Sequence, residues 1–112
     1  MEHNHQIQAT LRPQVQALRE LIPDTWASFA GLHKSSLAPG ELDTGTKELI
    51  ALAISVVEGC DGCIAAHARG AARHGATRQQ VAEALGVTLL MDGGPASIYA
   101  PRALAAFDEF SR

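Results

Sequence analysis

The sequence predicts an all-α protein, a compact bundle of about six helices that associates into an oligomer. Apolar residues recur at helical spacing along most of the chain, and the breaks in this pattern coincide with capping and helix-breaking residues. Aromatic residues make up only 4% of the 112 residues, so a core of mostly Ala, Leu, Ile and Val buries little area per residue. Association between subunits would bury additional apolar area.

The N-terminal region changes from a polar segment to a segment with apolar residues at helical spacing. Residues 1–10 are polar and predict an N-terminal arm in which His3 and His5 are solvated. A helix is then expected to begin near Pro13 and to end at Pro23, since proline fits the first turn and cannot continue the preceding helix. Its apolar positions are Val15, Leu18, Leu21 and Ile22.

The second helix is expected over "PDTWASFAGLHKSSL", with Pro23 in its first turn. Trp26, Phe29, Ala30 and His33 fall along one side at helical spacing. We expect Trp26 and Phe29, together with Tyr99 near the C-terminus, to lie in the core or in a subunit interface.

The third and fourth helices are separated by a predicted turn near Gly59. Asp43 or Thr44 can cap a helix that runs to about Val57. The Ala-rich stretch "CIAAHARGAARHG" predicts the next helix, which Gly75 closes.

The last two helices are marked by stronger local signals. Thr77 and Gln80 have the spacing of a capping box for "RQQVAEALGVTLLM". "DGGP" then breaks the chain, and a final helix follows, with Pro101 expected to kink it or to split it in two.

Charge and hydropathy exclude several classes of protein. The net charge is −3 with a pI near 5.9 and there is no basic run, which disfavours a nucleic-acid partner. The longest apolar run, "LIALAISVV", is too short to span a membrane, and the N-terminus lacks the apolar region of a signal peptide. We therefore expect residues 1–112 to form one cytoplasmic domain.

The two cysteines of the chain lie in the stretch "EGCDGCIAAHARG". Cys60, Cys63 and His67 fall at i, i+3 and i+7 of a helix start, so they share one face. The positive end of the helix dipole and an imidazolium formed when His67 takes the Cys63 proton both favour the reactive thiolate. Asp61 opposes it by charge, although it can cap the helix.

Glu48 is the next candidate for this site. If the third and fourth helices form an antiparallel hairpin, Glu48 lies 11 residues before Gly59 and His67 lies 8 after it. The axial offset is then roughly 4–5 Å, a gap that a glutamate side chain closes directly or through a water. Glu48 is therefore expected to orient His67 and to exchange protons with it.

A zinc site is an alternative interpretation of the same residues. Cys60, Cys63 and His67 would supply three ligands and His74 or Glu48 a fourth. The second cysteine pair common in such sites is missing, so we expect no metal. His33 and His74 have no spacing that ties them to the cysteines, and both are interpreted as structural.

The stretch "TKELIALAISVVEGCDGCIAAHARGAARHGATRQQVAEAL" resembles the carboxymuconolactone decarboxylase superfamily, in its alkylhydroperoxidase D-like branch. The shared motif is Glu, eleven residues, Cys-x-x-Cys, three residues, His, which Glu48, Cys60, Cys63 and His67 meet. The resemblance extends over about residues 39–107. One difference is that Asp61 and Gly62 stand between the cysteines, where some peroxidases of the branch carry a histidine.

The resemblance implies an all-helical homotrimer or homohexamer that reduces hydroperoxides with an external dithiol, of lipoyl or thioredoxin type. It implies that Cys63 attacks the peroxide, that Cys60 resolves the sulfenic acid, and that Glu48 and His67 relay protons. Such a thiol cycle needs no organic cofactor or metal. Two other functions stay open, a lactone decarboxylase of the type that names the superfamily and a non-catalytic redox sensor or partner protein on the same scaffold.

Overall fold

Six α-helices make up the computed structural model, which describes residues 3–112. They are α1 (His3–Leu21), α2 (Pro23–Leu37), α3 (Thr44–Glu58), α4 (Asp61–Arg73), α5 (Arg78–Asp92) and α6 (Gly94–Phe110). No strand occurs among these residues. The predicted all-α fold class is confirmed.

Local signals set most of the helix boundaries. The Asp43 side chain caps α3 by accepting the Thr46 N–H at 2.7 Å, and Gly59 ends α3 with a left-handed φ of 65°. The capping box of Thr77 and Gln80 is present at the start of α5. These boundaries agree with the sequence prediction because each depends on residues within one turn of the helix end.

The core lies between α3, α4, α5 and α6, with α4 packed against α1, α3 and α6. Many of its buried side chains are alanines, which lets the helices approach closely. The larger members are Leu52, Val56, Ile64, Val81, Leu85 and Phe107. This packing fixes the antiparallel α3–α4 hairpin that carries Glu48 and the cysteines.

The predicted N-terminal arm is wrong for residues 3–10, which form the first two turns of α1. The reason is a cap supplied from the far end of the chain. The Glu109 carboxylate accepts the backbone N–H groups of Asn4 at 3.2 Å and His5 at 2.7 Å, two of the donors that a helix start leaves without an intrahelical partner. The remaining residues of the predicted arm, 1 and 2, lie outside the described residues.

His5 is likewise not simply solvated. Its Nδ1 lies 2.6 Å from Glu109 Oε2, and its ring contacts that of Phe110 at a centroid distance of 4.6 Å. Burial acts to raise the pKa of Glu109, but the hydrogen bonds from Asn4 and His5 outweigh it and lower this pKa to about 2.

Two prolines lie inside continuous helices. Pro13 lies in the middle of α1 and not near its start, and α6 runs through Pro101 without being split in two. A proline removes one backbone hydrogen bond. In α6 the loss is tolerated because its inner face is buried on both sides of Pro101, through Ala96, Ala100, Ala103, Ala106 and Phe107.

The α2 helix has no buried residue. Trp26 is half-buried and contacts Phe29 at a ring-centroid distance of 5.7 Å, while Phe29 is exposed. Tyr99 packs against the core, as predicted for a core or interface residue. Within residues 3–112, no helix combines the length and the apolar character needed to cross a membrane.

Candidate functional site

The two cysteines lie at the start of α4 and are joined by a disulfide. Their Cα atoms are 5.2 Å apart, within the range that a disulfide requires. Cys60 is the N-cap residue of α4, and its sulfur accepts the Cys63 N–H at 3.2 Å. Both residues are half-buried, so the pair is partly accessible to a reductant.

Asp61 is not the N-cap of α4, which corrects one expectation from the sequence. It occupies the first helical position, and its carboxylate accepts the N–H of the neighbouring Gly62 at 2.7 Å. Its charge therefore lies at the positive end of the helix dipole, where an acidic side chain is stabilised.

Glu48 of α3 and His67 of α4 form a direct hydrogen bond of 2.9 Å between Oε1 and Nδ1. The structure thus brings together the pair that the predicted hairpin places within reach, with no intervening water needed. Glu48 is 5% exposed. When the Glu48 carboxylate is ionised it can only accept, so Nδ1 then donates to it and Nε2 of a neutral His67 is left to accept a hydrogen bond.

His67 lies one helical turn from Cys63 on α4, the i, i+4 relation that places two side chains on the same face. The imidazole is therefore positioned between the buried carboxylate and the N-terminal turn that carries the disulfide. This order of groups can move a proton between the cysteine turn and Glu48.

Gly70 makes room for the Glu48 carboxylate, a role that the sequence analysis missed. A Cβ atom at Gly70 would lie 1.2 Å from Glu48 Oε2 and 2.3 Å from its carboxyl carbon. Only a residue without a side chain fits there while Glu48 keeps its position. A glycine in the middle of an otherwise Ala-rich helix was the signal, since it costs about 0.8–1.0 kcal/mol relative to alanine.

An open cavity of about 400 Å³ lies beside Glu48 and His67. His33 and His74, interpreted from the sequence as structural, both line it. The His33 ring lies nearly parallel to the His67 ring at a centroid distance of 6.1 Å. No local pattern predicts this contact, because it depends on how α2 folds back towards α4.

The residues considered for zinc are arranged differently from a metal site. The two cysteine sulfurs are bonded to each other, and His67 is hydrogen-bonded to Glu48. Across the described part of the chain, no group of three His, Cys, Asp or Glu side chains is placed to hold a metal ion.

Sequence relatives match most of the chain. The family model of the carboxymuconolactone decarboxylase family matches residues 23–106, so the similarity includes α2 and begins before the residue 39 suggested by the motif alone. An uncharacterised protein of Cupriavidus necator is 44% identical over 95 residues, covering 85% of this chain and 84% of that protein. The alkyl hydroperoxide reductase AhpD of Corynebacterium kroppenstedtii is 33% identical over 63 residues, covering 56% of this chain and 36% of its own length.

Solved structures show the same fold. A carboxymuconolactone decarboxylase family protein from Legionella pneumophila superposes with a TM-score of 0.94 at 38% identity and covers 97% of both chains. A protein from Thermotoga maritima superposes with a TM-score of 0.70 at 32% identity, over 77% of this chain and 78% of that one. The chain belongs to the carboxymuconolactone decarboxylase family.

Proposed function

We propose that the protein is a thiol-dependent peroxidase that reduces hydroperoxides through Cys60 and Cys63. The observation that carries the proposal is the 2.9 Å hydrogen bond between buried Glu48 and His67, one helical turn from Cys63. A buried carboxylate that holds an imidazole beside a cysteine supplies both the base that forms a thiolate and the acid that protonates a leaving group. The family relation to an alkyl hydroperoxide reductase supports the same reaction.

The cycle begins with the reduced pair. His67 takes the proton of Cys63, and the thiolate attacks one peroxide oxygen, so that an S–O bond forms and the O–O bond breaks. The leaving alkoxide receives the proton from His67 and departs as an alcohol. The sulfur has been oxidised to a sulfenic acid by two electrons, and the peroxide has been reduced by two.

The second half of the cycle restores the thiols. The Cys60 thiol attacks the sulfenic acid sulfur, the disulfide forms, and water leaves. An external dithiol of lipoyl or thioredoxin type then exchanges with the disulfide and is itself oxidised. This cycle needs no organic cofactor or metal. It does need a pool of reduced dithiol, and for this reason we also propose a cytoplasmic location.

A steady-state peroxide assay tests the proposal. The protein is supplied with hydrogen peroxide or an alkyl hydroperoxide and with several dithiols in turn, while free thiols are counted. We expect continuous turnover with at least one dithiol and a loss of two thiols per chain on oxidation. A single stoichiometric oxidation with no turnover would instead support a redox sensor, and thiols unchanged by peroxide would rule out both functions.

The lactone decarboxylase that names the superfamily is the alternative function, and it is tested by measuring lactone decarboxylation beside peroxide turnover. Acid–base chemistry on a lactone has no use for a cysteine pair that forms a disulfide. We therefore expect Cys63→Ser to abolish peroxide turnover, whereas a decarboxylase that relies on Glu48 and His67 would retain its activity in that variant.

A further inference from the structure

The cavity beside Glu48 and His67 concentrates positive charge in a protein that is acidic overall. The chain carries 9 basic and 12 acidic residues, with a net charge of −3. Three of the basic residues, Lys34, Arg69 and Arg73, line this cavity. Glu48 is the acidic side chain in the lining, and it is already hydrogen-bonded to His67.

The three cations come from two helices that both line the cavity. Lys34 lies in the last turns of α2, while Arg69 and Arg73 lie one turn apart on α4. Arg69 is half-buried, and its Nη1 donates to Gln8 Oε1 of α1 at 3.1 Å. This neutral partner orients the guanidinium without cancelling its charge and leaves other N–H donors of the group free to bind an anion.

The described residues provide no carboxylate partner for these cations. The ion pairs between His5 and Glu109, His67 and Glu48, and Arg78 and Asp108 involve none of these three cations. Like charges brought together on a folded surface repel one another, and an anion placed between them relieves the repulsion. Guanidinium groups are well suited to a carboxylate because they donate two parallel hydrogen bonds to it.

We propose that this cavity binds the carboxylate of a substrate, so that the acid hydroperoxide is preferred over its neutral ester. The proposal rests on the proposed peroxidase function and adds the chemical class of the substrate. With a rise of about 1.5 Å per residue, Arg69 and Arg73 lie roughly 9 and 15 Å along α4 from Cys63. The carboxylate is therefore expected to be remote from the peroxide group, as in a long-chain acid oxidised near the middle of its chain.

Binding is tested without any turnover. The full-length protein is titrated with octanoate and with octanamide, which have the same chain length and differ in charge, and backbone amide chemical shifts are followed. We expect octanoate to shift the resonances of residues around Lys34 and 69–73 and to bind more weakly at high ionic strength. Octanamide should leave these resonances in place.

Variants identify the cations responsible. Lys34→Gln combined with Arg73→Gln should raise the Kd for octanoate by about tenfold, which corresponds to about 1.4 kcal/mol. Arg102→Gln is the matched control, because Arg102 lies over the Tyr99 ring on α6 and does not line the cavity. If the basic residues only complement the C-terminal ends of α2 and α4, the double variant melts at a lower temperature but binds octanoate as before.

A kinetic comparison separates the two proposals. The ratio of kcat/KM for a fatty-acid hydroperoxide to that for its methyl ester should exceed one and should fall towards one in the double variant. Octanoate binding without any peroxide turnover would keep the carboxylate site and reject the peroxidase. Equal binding of octanoate and octanamide, or peroxide turnover with no preference for the acid, would overturn the carboxylate site.

Discussion

At the residue scale, the Glu48 carboxylate of α3 depends on the missing side chain at Gly70 of α4. Glu48 reaches into the space that a Cβ on residue 70 would fill, and from there it holds Nδ1 of His67. The position of the carboxylate is therefore set by the absence of a side chain on α4 as much as by the packing of α3. A buried carboxylate that could move would not fix the orientation of the imidazole.

Gly70→Ala is expected to displace Glu48 and to lower peroxide turnover by at least tenfold. The new Cβ would overlap Glu48 Oε2, so the variant should also be less stable although alanine favours a helix by about 0.8–1.0 kcal/mol. Gly86→Ala is the control, since Gly86 lies in α5 and a Cβ added there would meet no side chain or neighbouring helix within 4 Å. Gly86→Ala should raise the melting temperature and leave turnover unchanged.

The same clash can be removed from the other side. In a Glu48→Ala background, Gly70→Ala should stabilise the protein, because the carboxylate that it would meet is gone. Melting curves of the four proteins of this cycle measure the coupling. Equal effects of Gly70→Ala in the two backgrounds would mean that Glu48 does not depend on the gap at residue 70.

Glu48→Gln changes the chemistry of the buried group and keeps its size. The amide can still hydrogen-bond to His67, but it cannot accept a proton, so turnover should fall by at least tenfold, within the range of about 10²–10⁴ for general acid–base catalysis. The melting temperature should change by only a few degrees. Unchanged peroxide turnover would make Glu48 a buried structural residue without a catalytic role.

The two cysteines are expected to react unequally. Cys63 is one turn from His67, whereas Cys60 precedes the first turn of α4 as its N-cap. Cys60→Ser should therefore still react once with peroxide and hold a sulfenic acid that a dimedone probe traps. Cys63→Ser should give far less trapped product at the same pH.

His67→Ala supplies the control for this assignment. Loss of the imidazole should slow trapping in the Cys60→Ser background and move its pH dependence upwards, because the thiolate loses a cationic neighbour. Trapping at Cys60 in Cys63→Ser, with Cys63 inert in Cys60→Ser, would reverse the two roles.

At the scale of the elements, the N-terminal helix is attached to the end of the C-terminal helix through Glu109. The pKa of this carboxyl is lowered to about 2 from a reference value of 4.5. A carboxyl with a lowered pKa in the folded state contributes stability that is complete above the reference value and is lost as pH falls towards the folded-state value. The contact is therefore expected to weaken between about pH 4.5 and 2.

Glu109→Gln should lower the free energy of unfolding at pH 7 by about 1–2 kcal/mol, since it weakens charge-assisted hydrogen bonds to the start of α1. Thermal melts measured from pH 7 to pH 2 should show a shallower loss of stability below pH 4.5 than the wild type does. Glu41→Gln, on the exposed loop before α3, should leave that slope unchanged. If the stability of Glu109→Gln fell with pH as steeply as that of the wild type, the Glu109 carboxyl would not be the cause of the loss.

This cap shows which parts of the molecule are predictable from sequence. The boundaries at Asp43, Gly59 and Thr77 depend on neighbours along the chain and are predicted. The start of α1 depends on Glu109, which lies 105 positions from Asn4. For this reason the sequence wrongly predicts an arm for residues 3–10. In the same way, the spacing across one hairpin predicts the contact between Glu48 and His67, but the placement of His33 depends on α2, which no such spacing constrains.

At the scale of the whole molecule, one chain leaves many large apolar side chains exposed. Leu21, Leu90 and Met91 are 81%, 82% and 76% exposed. On α3 the exposed residues Ile50, Ile54 and Val57 follow helical spacing and form one continuous apolar stripe. Together with α2, which has no buried residue, they place exposed apolar side chains on several helices, a feature typical of surfaces that a protein partner covers.

We therefore propose that copies of this chain cover these surfaces in an oligomer, which the resemblance to the superfamily implies is a homotrimer or homohexamer. Light scattering at micromolar concentration should give three or six times the chain mass of 11.8 kDa. Replacing Leu90 and Met91 by serine, or Phe29 and Leu32 by serine, removes apolar area from two separate exposed surfaces. At least one of these double variants should shift the measured mass towards that of the single chain, because apolar burial contributes about 25 cal/mol per Å². The helix content of the variants, measured by circular dichroism, should stay near that of the wild type, which separates dissociation from unfolding.

A wild-type mass of 11.8 kDa would contradict the oligomer, and it would leave the exposed apolar side chains of α2, α3 and α5 in contact with water.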